Sequence, residues 1–138
     1  MDVINAKARL IQGSQISLDD GRSHIVVADL PTDTDEGLGP TPLELCVMSH
    51  AGCYAVICVS TAKKMRIPLL GLEVKVEAEK SKEEGTVTEE NFSIRIKADA
   101  PIDRIERLHE LTLEHCPVGK LFEKAGVKII YDVKAVSE

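Results

Sequence analysis

A chain of 138 residues, 43% of them apolar, can bury a core without disulfide or metal staples and is expected to form one domain over residues 1–138. Aromatic residues make up only 3% and tryptophan is absent, so that core must be aliphatic. A net charge of −6 and a pI near 5.3, without a basic cluster, argue against a nucleic-acid partner and against binding an anionic membrane surface.

Residues Val3 to Ile11 alternate, which predicts a half-buried strand. Gln12-Gly13-Ser14 can turn the chain, and Ile16 to Leu18 begins the return. Asp19-Asp20-Gly21 is a hairpin signal, and "SHIVVADL" is a third strand. "PTDTDEGLGP" is a loop by its Pro, Gly, Asp and Thr content. A long helix follows in "TPLELCVMSHAGCYAVICVSTAKKM". Thr41 and Glu44 form a capping box around Pro42 at the first helical position, and Lys63, Lys64 and Arg66 suit the negative end of the dipole. The middle of this helix is apolar nearly all round, which predicts burial on every side, inside the domain or against a partner chain.

"LEVKVEAEK" points Leu72, Val74, Val76 and Ala78 inward. "TVTEENFSIRIKADA" does the same with Phe92, Ile94, Ile96 and Ala98, and the two read as a hairpin around "SKEEG". "APIDRIERLHELTLEHC" is an amphipathic helix with Ile102, Ile105, Leu108 and Leu111 or Leu113 on its buried stripe. Pro117 interrupts it, "PVGKLFEKAG" gives a short helix ending at Gly126, and "VKIIYDVKAV" is the last strand. The order β-β-β-α-β-β-α-α-β predicts an α+β fold, with a largely antiparallel sheet and helices against one face.

The N-terminal "MDVINAKARLIQG" lacks the apolar core of a signal peptide. The apolar run Leu45 to Val59 is broken by Ser49 and His50 and reads as too short to span a bilayer. A soluble, cytoplasmic protein is expected. Its four cysteines do not suggest a secreted disulfide framework, and their chemistry is redox, nucleophilic or none.

Cys116 directly precedes Pro117, at the N-cap of a new helix. The unpaired N–H groups and the dipole there favour a thiolate, against the plain alternative of a packing cysteine. Cys46, His50 and Cys53 share a face of the long helix, and His50 could stabilise a Cys53 thiolate or take its proton. Taken alone, Cys53 would be an inert core thiol. Cys58 and Cys46 read as packing residues, and His24 and His109 as solvated. A metal site is a further alternative, with Cys46, His50 and Cys53 completed by His115 or Cys116, although the spacing is not a usual zinc pattern.

"LGPTPLELCVMSHAGCYAV" and "EHCPVGKLFEKAGVKIIYDV", in this order and separation, resemble the OsmC-like family, which includes the organic hydroperoxide resistance proteins. The markers are Gly52-Cys53 in the long helix and Cys116-Pro117-Val118 near the end; Gly39 to Leu45 is similar to a divergent subgroup. The resemblance implies an intertwined homodimer whose long helices pack together between sheets. It also implies a cofactor-free thiol peroxidase acting on organic hydroperoxides: Cys53 forms a sulfenic acid, Cys116 resolves it to a disulfide, and an external dithiol reduces that. In the family an arginine and a glutamate polarise the peroxide. Counting back from Cys53, the glutamate position falls at Leu43, with Glu44 one place off and read as a cap. Arg22 and Arg9 are the candidates for the arginine. A non-catalytic small-molecule-binding module is the alternative within the same fold.

Overall fold

The computed structural model describes residues 2–137. Its elements follow the expected order: β1 (Lys7–Gln12), β2 (Gln15–Asp19), β3 (Ile25–Ala28), α1 (Pro42–Lys64), β4 (Leu69–Ser81), β5 (Thr86–Ala98), α2 (Ile102–His115), α3 (Pro117–Lys124) and β6 (Lys128–Ser137). The chain divides into two compact units, Met1–Cys46 and Val47–Glu138, with α1 starting in the first and continuing through the second.

In the first unit β1, β2 and β3 form an antiparallel sheet in that order. Gly13 (φ 55°) and Gly21 (φ 76°) take the left-handed conformations the two turns need. The expected half-buried first strand is exposed along its whole length. Within this unit the buried residues are Ala28 and Asp29. Asp29 organises the loop to α1: its carboxylate accepts from the Ser14 hydroxyl, from Leu38 N at 3.0 Å and from Leu30 N at 2.8 Å. These bonds, that of Ser14 foremost, hold its pKa below the ordinary value. By gathering those amides Asp29 also ends β3 at Ala28, short of the Leu30 expected. Gly39 passes so close to β3 that a Cβ on it would stand 1.9 Å from the Val27 carbonyl oxygen. The capping box forms as read, with Thr41 Oγ1 accepting from Glu44 N at 3.1 Å and Glu44 Oε1 from Thr41 N at 2.8 Å.

In the second unit β4 and β5 make the predicted antiparallel hairpin, and β6 adds to the other edge of β5 in parallel. The parallel pair follows from the connection, since α2 and α3 carry the chain back before β6 begins. Phe92, Ile94, Ile96 and Ala98 are buried on one face of β5, over Tyr54, Cys58 and Ala62 of α1 and Ile105 and Leu108 of α2. Leu72, Val74 and Val76 pack against this core as expected, whereas Ala78 is exposed. On α2 the stripe is Ile105, Leu108 and Thr112, with Leu113 beside it; Ile102 is 42% exposed.

Within its own chain helix α1 is buried on one side only, which leaves the expected cover of the other side to a partner chain. Its inner side carries His50, Tyr54, Cys58, Thr61 and Ala62, while Met48, Val56 and Val59 lie open on the other. The helix also exceeds the apolar run counted from sequence: its 23 residues are long and apolar enough, by length and composition alone, to cross a bilayer. Its inner side packs on β5 and α2 of its own chain, with His50 paired to Glu90 of β5.

Candidate active site

Cys116 closes α2 and caps α3, as its position before Pro117 predicted. With φ −85° and ψ 102° it leaves the helical region, and its Sγ accepts from Gly119 N at 3.4 Å. The residue is buried, and the Cys53 thiol lies near enough to act on it. Two sulfurs 63 positions apart in sequence are therefore neighbours in space. Cys53 is half-buried on α1, between the helix's packed and open sides.

The thiolate expected at Cys116 is corrected by this geometry. Burial pushes its thiol up to about 11; the Gly119 N–H works in the opposite direction, and the Cys53 thiol adds to the rise. The backbone N–H groups of Gly119 and Val118 do not offset the loss of water around a sulfur anion. Cys58 is wholly buried, lies against the Thr112 hydroxyl and is likewise pushed up by burial, as fits a packing thiol. Cys46, expected in the core, is exposed near the start of α1.

His50 is buried (1% exposed), its ring stacked on Phe122 at 4.7 Å and edge-on to Phe92 at 4.6 Å. Its Nδ1 lies 2.6 Å from Glu90 Oε1. Glu90 is fully buried on β5, and its Oε2 has no hydrogen-bond partner among the described residues. Burial pushes the Glu90 carboxyl up, and the His50 charge and hydrogen bond oppose it. Gly119 is buried beside this pair. A Cβ there would meet His50 Nε2 at 3.3 Å and Cys116 Sγ at 3.4 Å, so the imidazole and the thiol border the same point.

The sequence reading missed Glu90. A signal existed: it lies two residues before Phe92, in phase with the buried face of β5, although its charge suggests the wet face. His109 is a second correction. Expected to be solvated, it instead places its Nδ1 2.6 Å from the Tyr54 hydroxyl and its ring 5.5 Å from Tyr131. His24 is exposed and pairs with Asp20 at 2.6 Å.

Arg22 is exposed in the turn before β3, its guanidinium 3.4 Å from Asp20. The Glu44 carboxylate is engaged in the cap, accepting from Thr41 N at 2.8 Å. The Cys46, His50 and Cys53 metal set is not assembled: among the described residues no group of three His, Cys, Asp or Glu side chains is placed to hold an ion.

The OsmC-like protein family model matches residues 34–132. No curated protein matches the chain. Among solved structures, an OsmC-like protein from Mycoplasma pneumoniae superposes with a TM-score of 0.85 at 18% identity, covering 98% of each chain. The organic hydroperoxide resistance protein OhrB of Bacillus subtilis gives 0.64 at 19% identity, over 96% of this chain and 98% of that one. An organic hydroperoxide resistance protein from Legionella pneumophila gives 0.63 at 19% identity, over 100% and 98%. At these identities the likeness is one of fold. Matched over most of its length, and with the element order that its sequence predicted, the chain belongs to the OsmC-like family.

Proposed function

We propose that this protein is a soluble, cytoplasmic, thiol-dependent peroxidase that reduces organic hydroperoxides, residues 1–138 acting as one domain in a homodimer. The neighbouring Cys53 and Cys116 thiols carry this reading. Cys53, the more accessible of the two, attacks the O–O bond as a thiolate. An S–O bond forms, the O–O bond breaks, and the alkoxide leaves with a proton as an alcohol. Cys116 then attacks the sulfenic sulfur, expelling water and leaving a disulfide that an external dithiol reduces. The relatives titled organic hydroperoxide resistance proteins suggest the substrate class.

Replacing Cys53 by Ser is expected to abolish dithiol-dependent hydroperoxide consumption, and Cys116→Ser to leave a sulfenic acid that can be trapped at Cys53. Wild-type turnover in the first variant, or trapping at Cys46 or Cys58 in the second, overturns the assignment. The open side of α1, with Met48, Val56 and Val59, supports the dimer, because a second copy can cover it. Val56→Glu should sediment as a monomer; a dimer that persists removes this side from the interface.

Leu43, and a Glu44 engaged in capping, favour a second reading, a binding module for an apolar small molecule with no turnover. A ligand that co-purifies, together with no peroxide consumption, would select it.

A further inference from the structure

A buried thiol held up to about 11 is protonated at neutral pH, yet the proposed cycle asks it to act as a nucleophile. Something must take its proton. The local dipole has been outweighed, and the Cys53 thiol holds Cys116 higher still. The remaining basic group placed next to it is His50. Its Nε2 and the Cys116 Sγ both border the point where Gly119 lacks a side chain. The other ring nitrogen faces Glu90 at 2.6 Å, and the ring is held between Phe92 and Phe122.

Nucleophile, imidazole and carboxyl thus come from the cap between α2 and α3, from α1 and from β5. A base whose far nitrogen is oriented by a third group is the logic of activated nucleophiles generally. Nδ1 faces the Glu90 carboxyl, so Nε2 is the ring nitrogen left free to exchange a proton. Burying Glu90 with one oxygen unpartnered is costly, and a plain apolar pair would fill that space at lower cost. Tyr131 on β6 is pushed up to about 12, by burial first and then by Glu123, Cys116 and Glu90, so that phenol, Glu123 and, through Cys116, Tyr54 on α1 are the other titratable groups within electrostatic reach.

We propose that His50, oriented by Glu90, relays the proton of the resolving step, taking it from the Cys116 thiol and delivering it to the hydroxide that leaves Cys53. The inference rests on the peroxidase reading above. The Cys116 S–H bond breaks toward His50 Nε2, the Cys53–Cys116 S–S bond forms, and the Cys53 S–O bond breaks. The hydroxide takes the proton from Nε2 and leaves as water. The sulfenic sulfur is reduced and the Cys116 sulfur oxidised, and no further reactant is needed. In this step His50 acts on the Cys116 thiol, which borders the same point as its Nε2, and Glu90 is a positioning residue.

The test is a single-turnover hydroperoxide pulse on the reduced protein, reading Cys53 sulfenic acid with a 1,3-dione probe and the Cys53–Cys116 disulfide by mass, across pH. Glu90→Gln keeps the shape and an acceptor for Nδ1–H. It should form sulfenic acid at the wild-type rate but resolve it about 100-fold more slowly at neutral pH, with the inflection of the resolution profile moved to lower pH. Gly119→Ala, which sets a methyl group between Nε2 and Sγ, should slow resolution roughly tenfold. Nitrogen NMR of His50 in the unmodified reduced protein, which needs no variant to fold, should show the proton on Nδ1. Resolution at the wild-type rate and pH profile in Glu90→Gln, or a neutral imidazole protonated at Nε2, overturns the relay while leaving the peroxidase reading intact. Absence of sulfenic acid at Cys53 in the wild-type protein overturns both.

Discussion

On β5 every second residue from Phe92 to Ala98 is buried, while on β1 and β3 Leu10, Ile11, Ile25 and Val26 remain 46–69% exposed. Both sheets have three strands and alternating sequences. They differ in what lies over them: β4, β5 and β6 share a core with α1 and α2, whereas among the described residues of the first unit Ala28 and Asp29 are the buried ones. Alternation thus prepares a face for burial but does not supply its cover. The open apolar residues of the first sheet, like those on the outer side of α1, fit a protein that completes its burial with a second copy, as proposed.

The largest test of that contrast is truncation. Phe92→Ala should lower unfolding stability by about 3–5 kcal/mol, because a well-packed ring leaves a cavity. Ile25→Ala should cost under about 0.5 kcal/mol in dilute protein. Equal costs at a concentration where the protein is monomeric would erase the distinction; an Ile25 cost that grows with protein concentration would locate its cover in the assembly. Gly39→Ala comes next, at about 1–3 kcal/mol, since a methyl group meets the Val27 carbonyl and the backbone must shift. It would show that the first unit, although poor in core, is tightly specified at its loop.

The smallest effect concerns a polar contact within the second unit. Burial pushes the Tyr54 hydroxyl far above its ordinary range, so it keeps its proton and donates to His109. Tyr54→Phe should cost about 1 kcal/mol. Burial also holds His109 below its ordinary 6.5, with Glu110 opposing. Protonation of His109 therefore favours the unfolded chain, which binds more protons in that window. The contribution is fully present above about pH 6.5 and is lost as pH falls through the lower folded value. Urea midpoints across pH should show this decline in the parent and a flatter profile in His109→Gln.

Local rules carried most of the fold. Thr41, Pro42 and Glu44 announced the start of α1, Pro117 the break before α3, and the period of two the faces of β4 and β5. What a single sequence could not show was distance-dependent. His50 and Glu90 pair across 40 positions, and nothing local marks either as the other's partner. The N-cap at Cys116 was legible, but the direction of its pKa was not, because burial is set by the whole unit. Arg22 carried no motif, and its guanidinium pairs with Asp20 in the same turn. The cover over each sheet belongs to the same class of fact.

Glu90 lies in the hydrogen-bonded central strand of its sheet, paired with Ala78 on one side and Ile129 on the other. Gaining or losing a single residue between Glu90 and Phe92 would slip the register by one and send Glu90 to the wet face, or Phe92, Ile94 and Ile96 after it. The exposed turn around Gly85 carries no such constraint and can lengthen freely. Tags, loop grafts and natural length variation should therefore gather at that hairpin tip, while β5 tolerates exchange of its letters but not of their number.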